Sequence, residues 1–311
     1  MNINSRILIT GARGLVGSAI DRALHLRGFT NIITPSSRQF NLQLQSDTHI
    51  MFDSYKPEYV FHCAAKVGGI MANSLYPSDF FRDNIFIQTN VLECAAQSRV
   101  IKLLFLGSAC AYPKYANCPI LESSLLTGEL EPSNRAYAIA KISGIEMCAA
   151  YRRQYGCNFI AAMPTNLYGP GDHYDLDNSH VLPGMIRRIH EAKHTDQESV
   201  TLWGTGTPTR EFLYSDDLAE ACIFLMDNYN SGELINIGSG DALPLAEVAR
   251  DVALTVGYSG QIKWDHSKPD GTPNRKLDSS KIFGMGWAPR TMWRTGLAQT
   301  YKDFIKTCQT H

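Results

Sequence analysis

Five short apolar runs punctuate the first half of the chain: Ile7-Leu8-Ile9, Ile32-Ile33, Tyr59-Val60-Phe61, Leu103 to Leu106 and Phe159-Ile160-Ala161-Ala162. A strand with one wet face alternates polar and apolar residues, so unbroken runs predict strands buried on both faces. Helical spacing between them predicts helices over Leu15 to Leu26, Asn84 to Val100 and Ala136 to Tyr155. Strands alternating with helices predict an α/β fold, a doubly wound parallel sheet with helices on both sides. Two of the helices, around Ala136 to Ile145 and Ile85 to Leu92, are apolar or small most of the way round. Such a helix needs cover on both sides. The sheet supplies one cover, and a second copy of the chain is the expected other, giving a homodimer.

After Met163-Pro164 the chain turns to loops rich in Gly, Pro, Asn and His, the expected place for a substrate lobe. Regular structure is predicted to return with a helix capped by Asp216 or Asp217 and running through Met226. A strand over Leu234 to Ile237 and an amphipathic helix over Leu245 to Val256 follow. The expected division is a cofactor domain over 1–165, with a return contribution from about 212–240, and a smaller C-terminal α/β lobe over 166–311. At 311 residues the chain suits one large unit or two interlocked lobes, given about 100 to 200 residues per domain.

A formal net charge of −1 with interspersed signs gives no bulk field for nucleic acid or a charged membrane, so an anionic ligand must be met locally. Eight scattered cysteines show no C-x-x-C spacing, which speaks against a metal site. Met1 to Ile9 hold no charged-then-apolar leader, and no apolar run nears the roughly 18 residues of a membrane span. A reducing cytoplasm is the expected setting.

Chemistry enters directly after the first strand, with Gly11, Ala12, Arg13, Gly14, Leu15, Val16 and Gly17 at G-x-x-G-x-x-G spacing leading into a helix. Glycines there permit a tight turn and let backbone N–H groups approach a pyrophosphate, which a helix N-terminus attracts. The motif predicts a dinucleotide on a Rossmann-type sheet. Sites that prefer NAD place a carboxylate about 20 residues further on. Here the second strand ends in Thr34-Pro35-Ser36-Ser37-Arg38. Small hydroxyls with Arg38, and Arg13 in the loop, suit a 2′-phosphate, so NADP(H) is the expected cofactor. Ser108 ends an apolar strand, and Tyr137-Ala138-Ile139-Ala140-Lys141 lies on a predicted helix. Residues four apart share a helix face, which predicts the Lys141 ammonium beside the Tyr137 phenol, lowering its pKa for proton transfer.

This order of elements resembles the extended short-chain dehydrogenase/reductase family over nearly the whole chain. Segments Ala64 to Ile70, Leu106 to Pro113, Met163 to Pro170, Asn178 to Pro183, Trp203 to Pro208 with Arg210-Glu211-Phe212, and Lys268 to Pro273 are similar to one branch. Its members are bifunctional 3,5-epimerase/4-reductases that convert GDP-4-keto-6-deoxy-D-mannose. The resemblance implies Cys110 as base and His180 as acid for epimerisation, both types titrating within reach of neutral pH. It implies Tyr137 as proton donor in reduction, with Ser108 holding the oxygen and Lys141 binding the nicotinamide ribose. Ala64, Pro164, Asn166, Leu167 and His180 are the further cofactor contacts it implies. For the GDP-sugar it implies Arg188, Trp203, Arg210, Asp270 and Arg275, with the choice between Arg187 and Arg188 open. After Pro273 the basic residues depart from the familiar pattern as Asn274-Arg275-Lys276, and which of the three meets substrate is also open. Related machinery serving GDP-colitose or GDP-heptose pathways, and a non-catalytic NADP-binding regulator, are the competing readings. A 4,6-dehydratase would carry acidic residues where Ala109 and Cys110 stand.

Overall fold

Each apolar run becomes a strand in the computed structural model, which describes residues 1–176 and 179–309. The strands are β1 (Ile7–Thr10), β2 (Ile32–Ile33), β3 (Tyr59–His62), β4 (Lys102–Leu106), β5 (Phe159–Pro164), β6 (Asn166–Tyr168), β7 (Ser199–Trp203), β8 (Thr209–Tyr214), β9 (Ile235–Ile237), β10 (Ala242–Pro244), β11 (Gln261–Asp265) and β12 (Asn274–Arg275). The helices are α1 (Leu15–Leu26), α2 (Gln45–Tyr55), α3 (Ile70–Leu75), α4 (Pro77–Gln97), α5 (Arg135–Tyr155), α6 (Val181–His194), α7 (Ser215–Asn228), α8 (Leu245–Val256), α9 (Ser280–Gly284) and α10 (Trp293–Gln309).

Six strands form one Rossmann-type sheet in the order β2-β1-β3-β4-β5-β9, every pair parallel. Alternate residues of the unbroken runs serve opposite faces. Ile7, Ile9, Leu104 and Ile160 pack under α1 and α7, while Leu8, Leu103, Phe105 and Phe159 pack under α2, α4 and α5. That two-sided burial explains why these strands carry no polar alternation. α7 lies against α1, and β9 pairs with β5, so residues 215–237 return to the first sheet after a long excursion.

The excursion and the C-terminal part build a second layer. β8 is its spine, pairing with β6 and β12 in parallel and with β10 antiparallel. A separate parallel pair joins β7 to β11. A third core, including Ile186, Ile189, Val248, Val252 and Leu297, gathers α6, α8 and α10 over it.

α1 and α8 have the predicted bounds. α4 starts earlier than its apolar pattern, because Pro77 occupies the first turn, where its missing N–H costs no hydrogen bond. α7 begins at Ser215 behind Tyr214, and neither aspartate caps it. Asp216 pairs with Arg22 at 2.5 Å, and Asp217 accepts from the N–H groups of Arg290 and Thr291. On the outer side of α4, Phe81 and Phe86 are exposed. All eight cysteines are unpaired. Among the described residues no helix is long and apolar enough to cross a membrane. Asn178, part of one sequence segment singled out above, lies outside the described residues.

Candidate active site

The carboxyl ends of β1, β3, β4 and β5 deliver the candidate residues to one edge of the large sheet. Gly11 leaves β1 at φ +71°, and a Cβ on it would stand 2.8 Å from Ala64 Cα. A Cβ on Gly17 would stand 2.3 Å from Gly11 O. The first turn of α1 is therefore seated directly on the glycine loop, and only glycine at both places permits it. Thr10 braces the same loop: its Oγ1 accepts from Ala64 N (3.2 Å) and contacts Nδ1 of buried His62 (2.8 Å). Burial, aided by the Lys141 charge, lowers His62 to about 3, so this imidazole is neutral.

Arg13 and Arg38 are exposed and make no hydrogen bond or ion pair among the described residues. Ser36 is engaged with Gln39, both its N and its Oγ lying 2.9 Å from Gln39 Oε1. A helix N-terminus with glycine at 11, 14 and 17, together with unengaged guanidinium groups at Arg13 and Arg38, fits a dinucleotide with an additional phosphate. Pro164 ends β5, Asn166 Nδ2 donates to Glu211 O (3.1 Å), and Leu167 packs on the first core.

Ser108, Cys110 and Tyr137 form one corner. Ser108 opens the short 3-10 turn after β4, and its Oγ accepts from Cys110 N (3.4 Å). Tyr137 hydrogen-bonds Ser108 from the first turn of α5. Burial pushes the Tyr137 phenol up from its ordinary value, Cys110 adds to this, and the Ser108 bond opposes it. The expected lowering by Lys141 does not occur between the side chains themselves. The Lys141 ammonium turns to Leu106 O (2.9 Å) and sits over the Phe105 ring, which removes it from the phenol. Its own pKa is lowered by burial to about 8.

A second group comes from the other layer. Arg210 on β8 and Arg275 on β12 are direct cross-strand partners. Arg210 is held by the carbonyls of Thr209, Pro273 and Asp270 and is lowered to about 10, first by burial and then by Arg275. Arg275 reaches back to the first corner, its Nη1 donating to Cys110 Sγ at 3.4 Å. Asp270 is turned inward: its carboxylate accepts from Thr205 N (2.7 Å) and Oγ1 (2.8 Å), and it meets Arg210 through its carbonyl.

His180 precedes α6 at that helix's N-cap. His180 is exposed as a residue, while neighbouring protein still desolvates its ring. Desolvation, followed by His173, lowers its pKa from 6.5. Two turns of α6 onward, Arg187 is tied to Glu191 and Tyr174 O, whereas Arg188 stacks over Trp203 at 5.1 Å. Lys268 lies over the same indole at 5.4 Å. Among the described residues His180, Arg188 and Trp203 share no hydrogen bond or ring contact with the Ser108 corner, whereas Arg275 joins it to the second layer through Cys110.

The Arg275 contact with Cys110 and the bracing by Glu211 were not evident from the sequence. Glu211 is fully buried, accepting from Gly240 N and Leu277 N, both at 2.8 Å. Each of these contacts joins segments far apart in the chain, and only the run Phe212-Leu213-Tyr214 directly after Glu211 hinted at its burial.

The arrangement has counterparts in known proteins. Residues 7–238 match the model of the NAD dependent epimerase/dehydratase family. GDP-L-fucose synthase 1 of Arabidopsis thaliana is 52% identical over 97% of this chain and 94% of its own. A GDP-6-OMe-4-keto-L-xylo-heptose reductase from C. jejuni superposes with TM-score 0.94 at 34% identity, covering 99% of both chains. A GDP-D-glycero-L-gluco-heptose synthase from Campylobacter jejuni, solved in the presence of NADPH, gives TM-score 0.91 at 33% identity over 98% of this chain and 99% of that one. With the parallel sheet, the glycine loop and the Ser108-Tyr137-Lys141 set in place, this chain belongs to the NAD dependent epimerase/dehydratase family.

Proposed function

We propose that this chain converts GDP-4-keto-6-deoxy-D-mannose to GDP-L-fucose, epimerising C3 and C5 and then reducing C4 with NADPH. The chain is an NADP-dependent oxidoreductase and epimerase acting on GDP-4-keto sugars. The observation that carries the finer reading is the corner where Ser108, Cys110 and Tyr137 meet at the end of β4. A thiol set beside a tyrosine and serine lets one pocket serve both carbon acid chemistry and reduction. Identity of 52% to a GDP-L-fucose synthase, against 34% and 33% to the heptose enzymes, supports the fucose branch.

The C4 ketone acidifies the hydrogens at C3 and C5. Cys110 as thiolate takes the proton from carbon, the electron pair moving onto the ketone oxygen, and protonated His180 returns a proton to the opposite face. Ser108 and Tyr137 donate hydrogen bonds to that oxygen as its charge grows. The bound cofactor supplies hydride to C4. Tyr137 then gives its proton to the forming alkoxide, an acid role that a raised phenol suits. Arg13 and Arg38 hold the 2′-phosphate, and the glycine loop with α1 holds the pyrophosphate. Arg188 and Arg210 meet the diphosphate of the sugar nucleotide, with Trp203 offering an aromatic face to its base.

Exposed Phe81 and Phe86 on α4 support a homodimer through the α4 and α5 faces, and eight unpaired thiols suit the cytoplasm. Proton NMR with GDP-4-keto-6-deoxy-D-mannose in deuterated water tests the main reading. Deuterium entering C3 and C5, then GDP-L-fucose on adding NADPH, supports it. Reduction without exchange reduces the protein to a 4-reductase, and neither event points to another 4-keto sugar.

A further inference from the structure

Arg210 and Arg275 present an electrostatic problem that the fold has not neutralised. They lie directly opposite each other on neighbouring strands, where like charges repel. Neither forms an ion pair with a carboxylate among the described residues, although Arg275 is only 6% exposed. Their neighbours are carbonyls, a hydroxyl and one sulfur. Arg210 has three carbonyl partners and lies open to the diphosphate role. Arg275 differs, because Nη2 donates to Thr272 Oγ1 (2.9 Å), Nη1 to Cys110 Sγ (3.4 Å), and buried Nε has no partner. A buried cation is costly unless an anion meets it. Among the described residues, the only group touching Arg275 that can become an anion is the Cys110 thiol.

We infer that Arg275 is a positioning residue for the epimerisation: it holds Cys110 Sγ toward the substrate pocket as thiolate, rather than binding the sugar nucleotide itself. This rests on the proposed role of Cys110 as base. When carbon gives its proton to sulfur, the S–H bond forms and the pair from the C–H bond passes to the ketone oxygen. The Arg275 charge, partnered before the step, is left facing a neutral thiol and favours return of the proton to solvent or sugar. Among the described residues, the other ionisable groups facing the thiol are Tyr137 from α5 and Arg210 from β8. Tyr137, raised and so protonated near neutrality, brings no negative charge against the thiolate, and Arg210 assists it from a distance, so contact makes Arg275 the principal lever.

The test reads the thiol without any sugar. Alkylation of Cys110 by iodoacetamide is followed across pH by mass spectrometry of its peptide, with exposed Cys308 as internal reference. Removing a cation in contact should raise the Cys110 midpoint in Arg275→Met by about one unit or more, with Arg275→Lys between the two. The exchange rate at C3 and C5 at neutral pH should fall about tenfold in Arg275→Met and recover at higher pH, while KM for the GDP-sugar moves less than about threefold. An unmoved Cys110 midpoint with a raised KM would overturn the inference and make Arg275 a substrate ligand. If Arg275→Met does not fold, a wild-type Cys110 midpoint no lower than that of Cys308 overturns it alone. Absence of C3 and C5 exchange in wild type would strike the proposed reaction, whereas the midpoint shift stands independently of it.

Discussion

Substituting Gly17 by alanine puts a methyl group 2.3 Å from Gly11 O and 2.7 Å from both Ala12 Cα and Gly11 C. All three are backbone atoms of the cradle, so no side chain can swing aside. Relief requires α1 to retreat from the loop by about 1 Å, a displacement that costs on the order of 100-fold where binding geometry matters. Overpacking of this kind also costs about 1–3 kcal/mol of stability. Gly17→Ala should therefore weaken NADPH binding by tens of fold, measured by quenching and transfer of protein fluorescence, while a urea titration registers the stability loss. Gly14→Ala is the comparison. Its Cβ would meet only Gly11 O, at an ordinary 3.5 Å, so stability should hold, and any loss of NADPH affinity would report a ligand lying on that position. NADPH affinity for folded Gly17→Ala within about threefold of wild type would refute the view that this crossing shapes the cofactor site.

Arg188→Ala should raise KM for the GDP-sugar about tenfold with a smaller change in kcat, since it removes a cation held on Trp203; an unchanged KM would remove Arg188 from the site. Because the folded-state pKa of His180 lies below 6.5, its protonated form drains away as pH rises through that region. Exchange at C3 and C5 should fall on the alkaline side, and His180→Gln should abolish that limb along with most of the rate. Lys141, lowered to about 8, loses its charge as pH rises through that value, so NADPH oxidation should decline there. Buried Lys102 donates to Leu225 O, Met226 O and Asn230 Oδ1 and is lowered by burial to about 8, below its unfolded 10.5. The unfolded chain then binds the extra proton between those values, so its stability contribution rises with pH from about 8 to 10.5. Lys102→Met should abolish that rise and destabilise by about 1–3 kcal/mol near neutrality through the orphaned Met226 carbonyl at the end of α7, Leu225 O keeping the Tyr229 N–H, as measured by urea unfolding across pH.

The large sheet was legible because strands covered on both faces leave unbroken apolar runs, and α1 because its glycine loop has a fixed spacing. The second layer was harder. β10 and β12 are short, and β7 alternates Val200 and Leu202 with exposed Thr201 and Trp203 inside a loop-like composition. Asp216 and Asp217 resembled caps, but distant partners, Arg22 and the Arg290 backbone, claimed them. The Tyr137 and Lys141 spacing was visible, whereas the direction of the ammonium depended on Leu106 O at the end of another strand. Residue types at the Ser108 corner could be read in order; the Arg275 contact, across 165 positions, could not.

The return of β9 and α7 to the first sheet also bears on how the chain matures. When residues 1–165 have left the ribosome, β1 to β5 exist, but the edge of β5 lacks β9 and the side of α1 that meets α7 is uncovered. An unpaired central strand and a wet apolar helix invite association with other nascent chains. The cofactor half can close only after residue 237 emerges, by which time much of the second layer has been synthesised. Birth of the two halves is therefore interleaved, and a nascent-chain chaperone would find its longest exposure between those two points.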